Sequence, residues 1–290
     1  MGYLYAFMAF LMIGSYLVPL RFARPKGDAF LALMGLGMAA SLPFFAPQLV
    51  QLVRHPAWLA AGILSGVLWA VAQGLANRAI GEVSFAKAVV VFNLNTFVNI
   101  AAGLLLFREA ASLHAAIGLV AGGIVLFSGA AVVAGAQASP SMEGDRRQGI
   151  LLAGGAGLIW GLYFIPLQYV KKLDPAPGLD EMHLLAALLL GGSLAAMAIG
   201  ARSLRRTTWT RRDLGWGAVS AVLWTVGTAF FLAAIREMGL ARAVPLINMN
   251  TLMYAGWSLF VFKELPLSQT WRILIGTLLA ILGAGVLALA

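Results

Sequence analysis

Residues 65–109 read SGVLWAVAQGLANRAIGEVSFAKAVVVFNLNTFVNIAAGLLLFRE, and residues 220–264 read SAVLWTVGTAFFLAAIREMGLARAVPLINMNTLMYAGWSLFVFKE. The two stretches align without a gap at a constant offset of 155 positions, and 17 of the 45 aligned residues are identical. Leucine-rich runs match by chance, but tryptophan, glutamate and Asn-x-Asn-Thr positions shared at one offset do not easily do so. A second match, at an offset of 147, pairs GSYLVPLRFAR (14–24) with GLYFIPLQYVK (161–171). The sequence therefore contains an internal duplication.

The composition predicts an integral membrane protein. Hydrophobic residues make up 61% of the 290 residues and charged residues 11%, and the mean hydropathy is +0.89. Soluble domains carry roughly 25% charged residues, so an ordinary soluble enzyme, a disordered chain and a coiled coil are excluded. The net charge of +9 comes from basic residues scattered in short loops, so no nucleic-acid partner is expected. The chain has no cysteine and only three widely separated histidines, which predicts no metal site and no cofactor.

Ten apolar runs, each close to the roughly 20 residues that a membrane helix needs, follow one another along the chain. They are called spans 1 to 10 below and lie near 3–22, 29–50, 57–78, 84–107, 113–134, 149–170, 182–200, 213–235, 240–262 and 270–289. Backbone groups in lipid must be satisfied within the segment, so an all-α membrane protein is predicted. The polar linker 135–148 separates a five-helix repeat at 1–134 from a second at 149–290.

Five helices is an odd number, so the second repeat must enter the membrane from the opposite side. Two inverted five-helix repeats are therefore predicted, a construction common in secondary transporters, whose substrate site lies near the midplane between the repeats. The loops after the odd-numbered spans hold 14 Lys and Arg residues, and the other side holds 6. Because cytoplasmic loops are enriched in Lys and Arg, both termini are expected on the non-cytoplasmic side of the cytoplasmic membrane.

Asparagines in the middle of spans 4 and 9 are the most informative polar residues, because unpaired polar groups at that depth are costly. Asn95 and Asn99 are four residues apart and share a helix face, as do Asn250 and Tyr254. These four are predicted to line a substrate cavity. At 100° per residue Asn93 and Asn95 point to nearly opposite faces, so Asn93 and its counterpart Asn248 are assigned to hydrogen bonds between helices. The alternative is that all of these asparagines join helices.

Spans 3 and 8 add aromatic and polar side chains on matching ridges, and spans 1 and 6 add a tyrosine each. An indole beside amides suits a sugar ring, whose C–H face stacks on the aromatic while its hydroxyls bond the amides. Packing or lipid contact is the alternative for both tryptophans. The residues predicted to complete the cavity are Trp69, Gln73, Trp224, Thr228, Tyr16 and Tyr163.

Prolines mark the helices that are expected to bend. Pro19 and Pro166 occupy equivalent places in spans 1 and 6, and a proline inside a helix leaves a carbonyl of the preceding turn without its partner. Pro245 is predicted to bend span 9 without a counterpart, because Val90 stands at the matching position of span 4.

Charged residues lie at the ends of the spans rather than deep within them. Lys87 and Arg242 are repeat-equivalent, and two interpretations stay open: they extend to the membrane surface, or they face the cavity and bind an anion. Glu109 and Glu264 end spans 4 and 9 and are expected to pair with nearby cations. No nucleotide-binding loop, nucleophile elbow or zinc motif is present, so the chain is not expected to be an enzyme.

Ten helices in two inverted repeats, each with a fourth helix that ends in Phe-x-Glu, resemble the drug/metabolite transporter superfamily and its EamA-like repeats. GSYLVPLRFARPKGD (14–28), GLYFIPLQYVKK (161–172) and VLWAVAQGLANRAIGEVSFAKAV (67–89) are similar to motifs of its glucose/ribose porter and rhamnose porter-like group. The resemblance implies that spans 1, 3, 4, 6, 8 and 9 line the transport path. Val90 replaces a proline of that group, and the Asn-x-Asn-Thr pairs replace its Ser and Gln pattern.

The sequence thus favours a secondary transporter that moves a small neutral polar solute, with a sugar as the leading candidate. The alternatives are an exporter of amino acids or amphipathic metabolites, an organic-anion exchanger that uses Lys87 or Arg242, and a membrane scaffold or sensor that transports nothing. The expected partners are the solute and the lipid bilayer. Spans 5 and 10 are almost wholly apolar and glycine-rich, so they are expected outside the cavity, either scaffolding the halves or forming a homodimer.

Overall fold

A computed structural model describes residues 1–83, 88, 91–110, 112–134, 146–257, 261 and 270–289. The predictions that concern Lys87, Val90, Glu264 and most of the linker 135–148 fall outside these residues. Six helices are long and apolar enough to cross a membrane: Gly2–Phe22, Gly27–Leu52, Pro56–Ile80, Arg147–Leu173, Glu181–Arg206 and Arg211–Met238. They correspond to spans 1, 2, 3, 6, 7 and 8.

The other four spans are also helical over the residues described. Span 4 contains the helix Leu94–Ala102 and ends in a π-helical turn at Gly103–Phe107, and span 5 is the helix Leu113–Ala134. Span 9 consists of the helices Leu240–Asn248 and Asn250–Gly256, and span 10 is the helix Thr270–Leu289. The prediction of an all-helical membrane protein with ten helices is therefore confirmed.

Four of the spans are interrupted near their middle. Span 1 stops at Ile13 and restarts at Val18, and span 6 stops at Leu162 and restarts at Ile165. Pro19 and Pro166 lie in the first turn of the restarting helix, where a missing N–H costs no helical hydrogen bond. The two prolines thus begin a new helix segment, whereas the sequence predicted a bend within a continuous one.

Spans 4 and 9 break within one residue of equivalent positions. A single turn residue, Asn93, separates residues 91 and 92 from the helix Leu94–Ala102, and Met249 separates the two helices of span 9. Pro245 lies inside an unbroken helix, four residues before the break, so the break is not at the predicted proline.

The break in span 1 leaves backbone carbonyls without a helical partner, and side chains from the second half of the chain donate hydrogen bonds to them. The Ile13 carbonyl accepts a hydrogen bond from the hydroxyl of Tyr254 at 2.8 Å, and the Tyr16 carbonyl accepts one from the hydroxyl of Ser220. Buried backbone carbonyls in a membrane need such partners. The unwound segment of span 1 is therefore held by spans 8 and 9.

Packing between spans follows the duplication. Span 3 packs against spans 6 and 7, while the equivalent span 8 packs against spans 1 and 2. Glycines permit the closest approach: a Cβ on Gly66 of span 3 would collide with the backbone of Leu188 and Gly192 in span 7. Spans 5 and 10 pack chiefly against each other, with Gly122, Gly129 and Gly283 at their contact. Gly122 and Gly283 thus serve a contact within the chain.

Charged side chains tie the spans together at their ends. Glu181, at the start of span 7, accepts from Lys171 of span 6 at 2.7 Å and from Arg236 of span 8 at 3.1 Å. At the opposite end of the bundle, Arg78 of span 3 pairs with Asp28 of span 2 at 2.7 Å. These ion pairs lie at the ends of the bundle and not in its middle.

Candidate functional site

A cavity lies between spans 1, 3, 4, 6, 8 and 9. Its walls are aromatic, amide and aliphatic side chains. The lining residues are Ile13, Tyr16, Leu17, Trp69, Phe92, Asn93, Asn95, Asn99, Trp160, Tyr163, Phe164, Trp224, Phe231, Val244, Ile247, Asn248, Asn250 and Tyr254.

The structure brings eight of the ten predicted residues together around this cavity. They are Tyr16, Trp69, Asn95, Asn99, Tyr163, Trp224, Asn250 and Tyr254. Gln73 and Thr228 do not belong to the lining and are buried behind it. Spans 5 and 10 contribute no described residue to the cavity, as expected.

Aromatic rings in contact with one another line the cavity. The indoles of Trp69 and Trp224, at equivalent positions of the duplication, lie with their ring centres 4.2 Å apart. The ring of Phe164 lies 3.9 Å from that of Tyr163 and 4.5 Å from that of Phe231. The paired rings are tilted or edge-on to one another, and their mutual contact fixes their orientation before a ligand arrives.

The asparagines of spans 4 and 9 meet in the same cavity. Asn248 donates from Nδ2 to Oδ1 of Asn95 at 2.7 Å and to Oγ1 of Thr96 at 2.8 Å. Asn248 therefore joins two helices, as predicted, but it also lines the cavity.

The prediction that Asn93 and Asn95 cannot both line one cavity is wrong. It assumed 100° per residue through both positions. The helix is interrupted at Asn93, so the regular angle does not apply across that residue. Sequence spacing alone did not reveal the interruption.

Gln73 lies outside the cavity lining and holds the side chain of Tyr16, which lines it. The hydroxyl of Tyr16 donates to Oε1 of Gln73 at 2.6 Å, and Nε2 of Gln73 donates to Oδ1 of Asn77 at 2.8 Å. Asn77 in turn donates to the Gly27 carbonyl at 3.1 Å, between spans 1 and 2. A chain of buried hydrogen bonds therefore connects the cavity to the end of the bundle and fixes Tyr16.

Some polar atoms in the cavity are left without partners. Asn99 is 1% exposed and donates from Nδ2 to the Asn95 carbonyl at 2.7 Å, but its Oδ1 accepts no hydrogen bond from the residues that the structure describes. The side chains of Asn250 and Tyr163 also make no hydrogen bond within that part of the chain. A buried acceptor without a donor is costly unless a ligand or water supplies one. The cavity is thus prepared for a ligand with hydrogen-bond donors.

The cavity is uncharged over the described residues. None of its lining residues is Asp, Glu, Lys, Arg or His. Arg242, one of the two cations that an anion exchanger would need, is not among them. No group of His, Asp and Glu suited to a metal ion occurs in the part of the chain that the structure describes.

Sequence reasoning missed several aromatic members of the site. Phe231 lies seven residues after Trp224, so both occupy one helix ridge, and this spacing was a usable signal. Trp160 lies three residues before Tyr163 and also shares its face. Phe92 and Phe164 flank helix breaks at which the regular spacing is lost, so no pattern identifies them.

Comparisons with known proteins agree with this architecture. Residues 147–289 match the model of the EamA-like transporter family. A solved structure described as "Crystal structure of protein" is similar over 98% of this chain and 95% of its own, with a TM-score of 0.68 at 16% identity, which shows a shared fold. No curated protein matches the chain.

Proposed function

We propose that this chain is a transporter of the EamA-like family in the drug/metabolite transporter superfamily, whose model its second half matches over residues 147–289, and that its solute is small, neutral and polar, with a sugar as the leading candidate. On this assignment it is a multi-pass secondary transporter of small metabolites and not an enzyme. The proposal adds three things to that family assignment. They are the solute class, two inverted repeats in the cytoplasmic membrane with both termini on its non-cytoplasmic side, and alternating access to the central cavity.

The unpaired Oδ1 of Asn99 carries the proposal. It is a buried acceptor in an uncharged cavity that aromatic rings also line. A sugar supplies both a hydroxyl donor for this oxygen and an apolar C–H face for the rings. A substrate analogue that lacks the required hydroxyl leaves the oxygen unpaired, which costs about 1–3 kcal/mol, or roughly 5- to 150-fold in affinity.

The paired helix breaks support alternating access. Interrupted helices at equivalent positions of two halves are typical of transporters that rock about a central site. The breaks at Gly14–Leu17 and Tyr163–Phe164 occur in spans 1 and 6, and those at Asn93 and Met249 in spans 4 and 9. Each pair of breaks borders the cavity.

The aromatic lining favours a second candidate. Nine aromatic side chains surround the cavity, and an amphipathic metabolite would bury a larger apolar surface against them. This solute would depend less on Asn99 than a sugar does. An exporter of amphipathic metabolites is therefore the alternative.

A thermal-unfolding screen of the detergent-purified protein tests the solute class. Monosaccharides, amino acids, organic phosphates and amphipathic amines are each added, because a ligand that binds the native state raises apparent stability by mass action. Asn99→Leu removes the unpaired acceptor. Thr225→Val is the matched control, because it removes a buried unpartnered hydroxyl outside the cavity lining.

The proposal expects a monosaccharide to stabilise the native protein and the Thr225→Val variant, but not Asn99→Leu. A monodeoxy analogue should then lose most of the effect. A sugar effect that survives in Asn99→Leu refutes the assigned acceptor. Stabilisation by amphipathic metabolites alone would transfer the assignment to the second candidate, and stabilisation by organic phosphates alone would refute a neutral solute.

A further inference from the structure

Glu109, at the end of span 4, lies against the beginning of span 9. Its Oε1 accepts from the Leu240 N–H at 2.8 Å, and its Oε2 accepts from the Ala241 N–H at 2.7 Å. The first N–H groups of a helix have no partner within that helix, and its N-terminus carries partial positive charge. The carboxylate of Glu109 satisfies both requirements from another span, which corrects the expectation that it would pair with a cation.

The backbone on both sides is shaped around this carboxylate. Span 4 ends in a π-helical turn, after which Arg108 adopts a left-handed φ of 55°. The N–H of Glu109 then donates to the Gly103 carbonyl at 3.0 Å. On the other side, Gly239 has a φ of +83°, and a Cβ there would lie 2.7 Å from Oε2 of Glu109. A Cβ on Gly103 would lie at the same distance.

Spans 4 and 9 are therefore joined at two levels. Asn248 bonds Asn95 and Thr96 beside the cavity, and Glu109 bonds Leu240 and Ala241 at one end of the bundle. This end, where span 4 ends and span 9 begins, is called the Glu109 end. Both spans line the cavity, so their separation at the Glu109 end would widen the access to it.

We propose that Glu109 is a latch that holds the Glu109 end closed over the cavity, and that its release opens this end during transport. The inference rests on the proposed alternating access, but not on the identity of the solute. Glu109 does not line the cavity, so it is a positioning residue that acts through span 9.

The chemistry of the contact suits a reversible latch. Glu109 is half-buried, so water can solvate the carboxylate and both N–H groups when they separate. The free energy of opening is then only the net contribution of two charge-assisted hydrogen bonds. It does not include the larger penalty of leaving buried polar groups unpaired. A hydrogen bond between spans 4 and 6 at this end, from Lys172 Nζ to the Leu106 carbonyl at 3.1 Å, is exposed.

Distances between paired spin labels test the latch, and the absence of native cysteine allows labels at chosen sites only. One pair, Leu4→Cys with Leu105→Cys, spans the Glu109 end on residues that are 50% and 78% exposed. A second pair, Phe22→Cys with Leu151→Cys, reports on the opposite end. Glu109→Gln weakens the latch, because it removes the charge and leaves one acceptor oxygen for two N–H groups. Glu237→Gln is the matched control, because it removes a carboxylate near the same end that contacts Arg236 and not span 9.

The latch predicts that Glu109→Gln raises the ratio of long to short Leu4–Leu105 distances about tenfold or more, as expected for losing a charge-assisted contact. The Phe22–Leu151 distances should stay unchanged or shorten. Gly239→Ala disrupts the same contact from span 9 and should lengthen the Leu4–Leu105 distances in the same way. Agreement between the two variants would show that the effect does not come from misfolding of one of them. Glu237→Gln should resemble the native protein.

Two results would overturn the latch and can be told apart from a failure of alternating access. Equal effects of Glu109→Gln and Glu237→Gln, or longer distances at both ends in Glu109→Gln, would show that the contact is merely structural. If neither label pair of the native protein ever changes in the presence of the stabilising solute, alternating access itself is wrong, and the latch is wrong with it.

Discussion

Gln73 and Thr228 occupy equivalent positions of the duplication, 155 residues apart, but loss of their polar atoms should destabilise the protein only at Gln73. Gln73 accepts from Tyr16 at 2.6 Å and donates to Asn77 at 2.8 Å, and all three side chains are buried. Thr228 is fully buried, and its hydroxyl has no partner among the described residues. Gln73→Leu and Thr228→Val each keep the approximate shape of the side chain and remove its hydrogen-bonding groups.

The expected magnitudes follow from those contacts. Gln73→Leu removes two hydrogen bonds and leaves the Tyr16 hydroxyl and the Asn77 carbonyl oxygen unpaired. Side-chain hydrogen bonds between membrane helices average about 0.6 kcal/mol and reach about 1.7 kcal/mol, so a loss of about 1–3 kcal/mol is expected. Thr228→Val removes a group that makes no bond, so its effect should lie near zero or be slightly stabilising.

The measurement is equilibrium unfolding of each variant in mixed micelles with a denaturing detergent, followed by circular dichroism. The difference between the two variants in free energy of unfolding is the quantity of interest. If Gln73→Leu costs less than about 0.5 kcal/mol, below one average membrane hydrogen bond, or if Thr228→Val costs more than Gln73→Leu, the assignment of paired and unpaired groups is refuted.

Three further outcomes are expected. In a double-mutant cycle of Asn95→Ala and Asn248→Ala, the changes in unfolding free energy should be non-additive by about 0.6 kcal/mol or more. Additive changes would show that the contact contributes nothing to stability. Gly66→Ala, which places a Cβ in the backbone of span 7, should cost about 1–3 kcal/mol in the same assay, and a neutral result would contradict the close packing. The pKa of Asp180 is lowered, since hydrogen bonds from His183 and Met182 outweigh the opposing effect of burial. A lowered pKa gives stability above the unfolded pKa that is lost as the pH falls through the folded pKa, so the advantage of the native protein over Asp180→Asn should shrink below about pH 4, and a constant difference would refute this.

Much of the fold could be predicted from the sequence because lipid leaves few choices. A run of about 20 apolar residues can only be satisfied as a helix in the bilayer, so ten runs gave ten helices. The duplication then indicated which helices correspond. The placement of eight predicted residues around one cavity follows from the same logic, because Trp69, Asn95 and their counterparts are polar or amphipathic at mid-depth.

What the sequence did not predict arises where helices break or where residues far apart in sequence meet. Asn93 and Phe92 reach the cavity because regular spacing ends at Asn93. Gln73 was assigned to the cavity from its ridge, but its amide is taken by Tyr16 and Asn77, a pairing between residues far apart in sequence. Glu109 was expected to pair with a cation, and its contact with two backbone N–H groups depends on how spans 4 and 9 meet.

The cavity combines a duplicated frame with polar groups that are no longer equivalent. At three pairs of equivalent positions, one residue has a polar atom bonded within the protein and the other presents one without a partner among the described residues. The bonded residues are Tyr16, Asn95 and Tyr254, and the respective counterparts with unpaired atoms are Tyr163, Asn250 and Asn99.

This asymmetry limits how a solute can bind. A symmetric frame with symmetric groups would accept a solute in two equivalent orientations. Here the free groups come from spans 4, 6 and 9, whereas span 1 offers only a hydroxyl that is already donated. Substitutions at Tyr163, Asn250 and Asn99 should therefore weaken binding directly, and those at Tyr16 and Tyr254 should act through the position of the helices that they join.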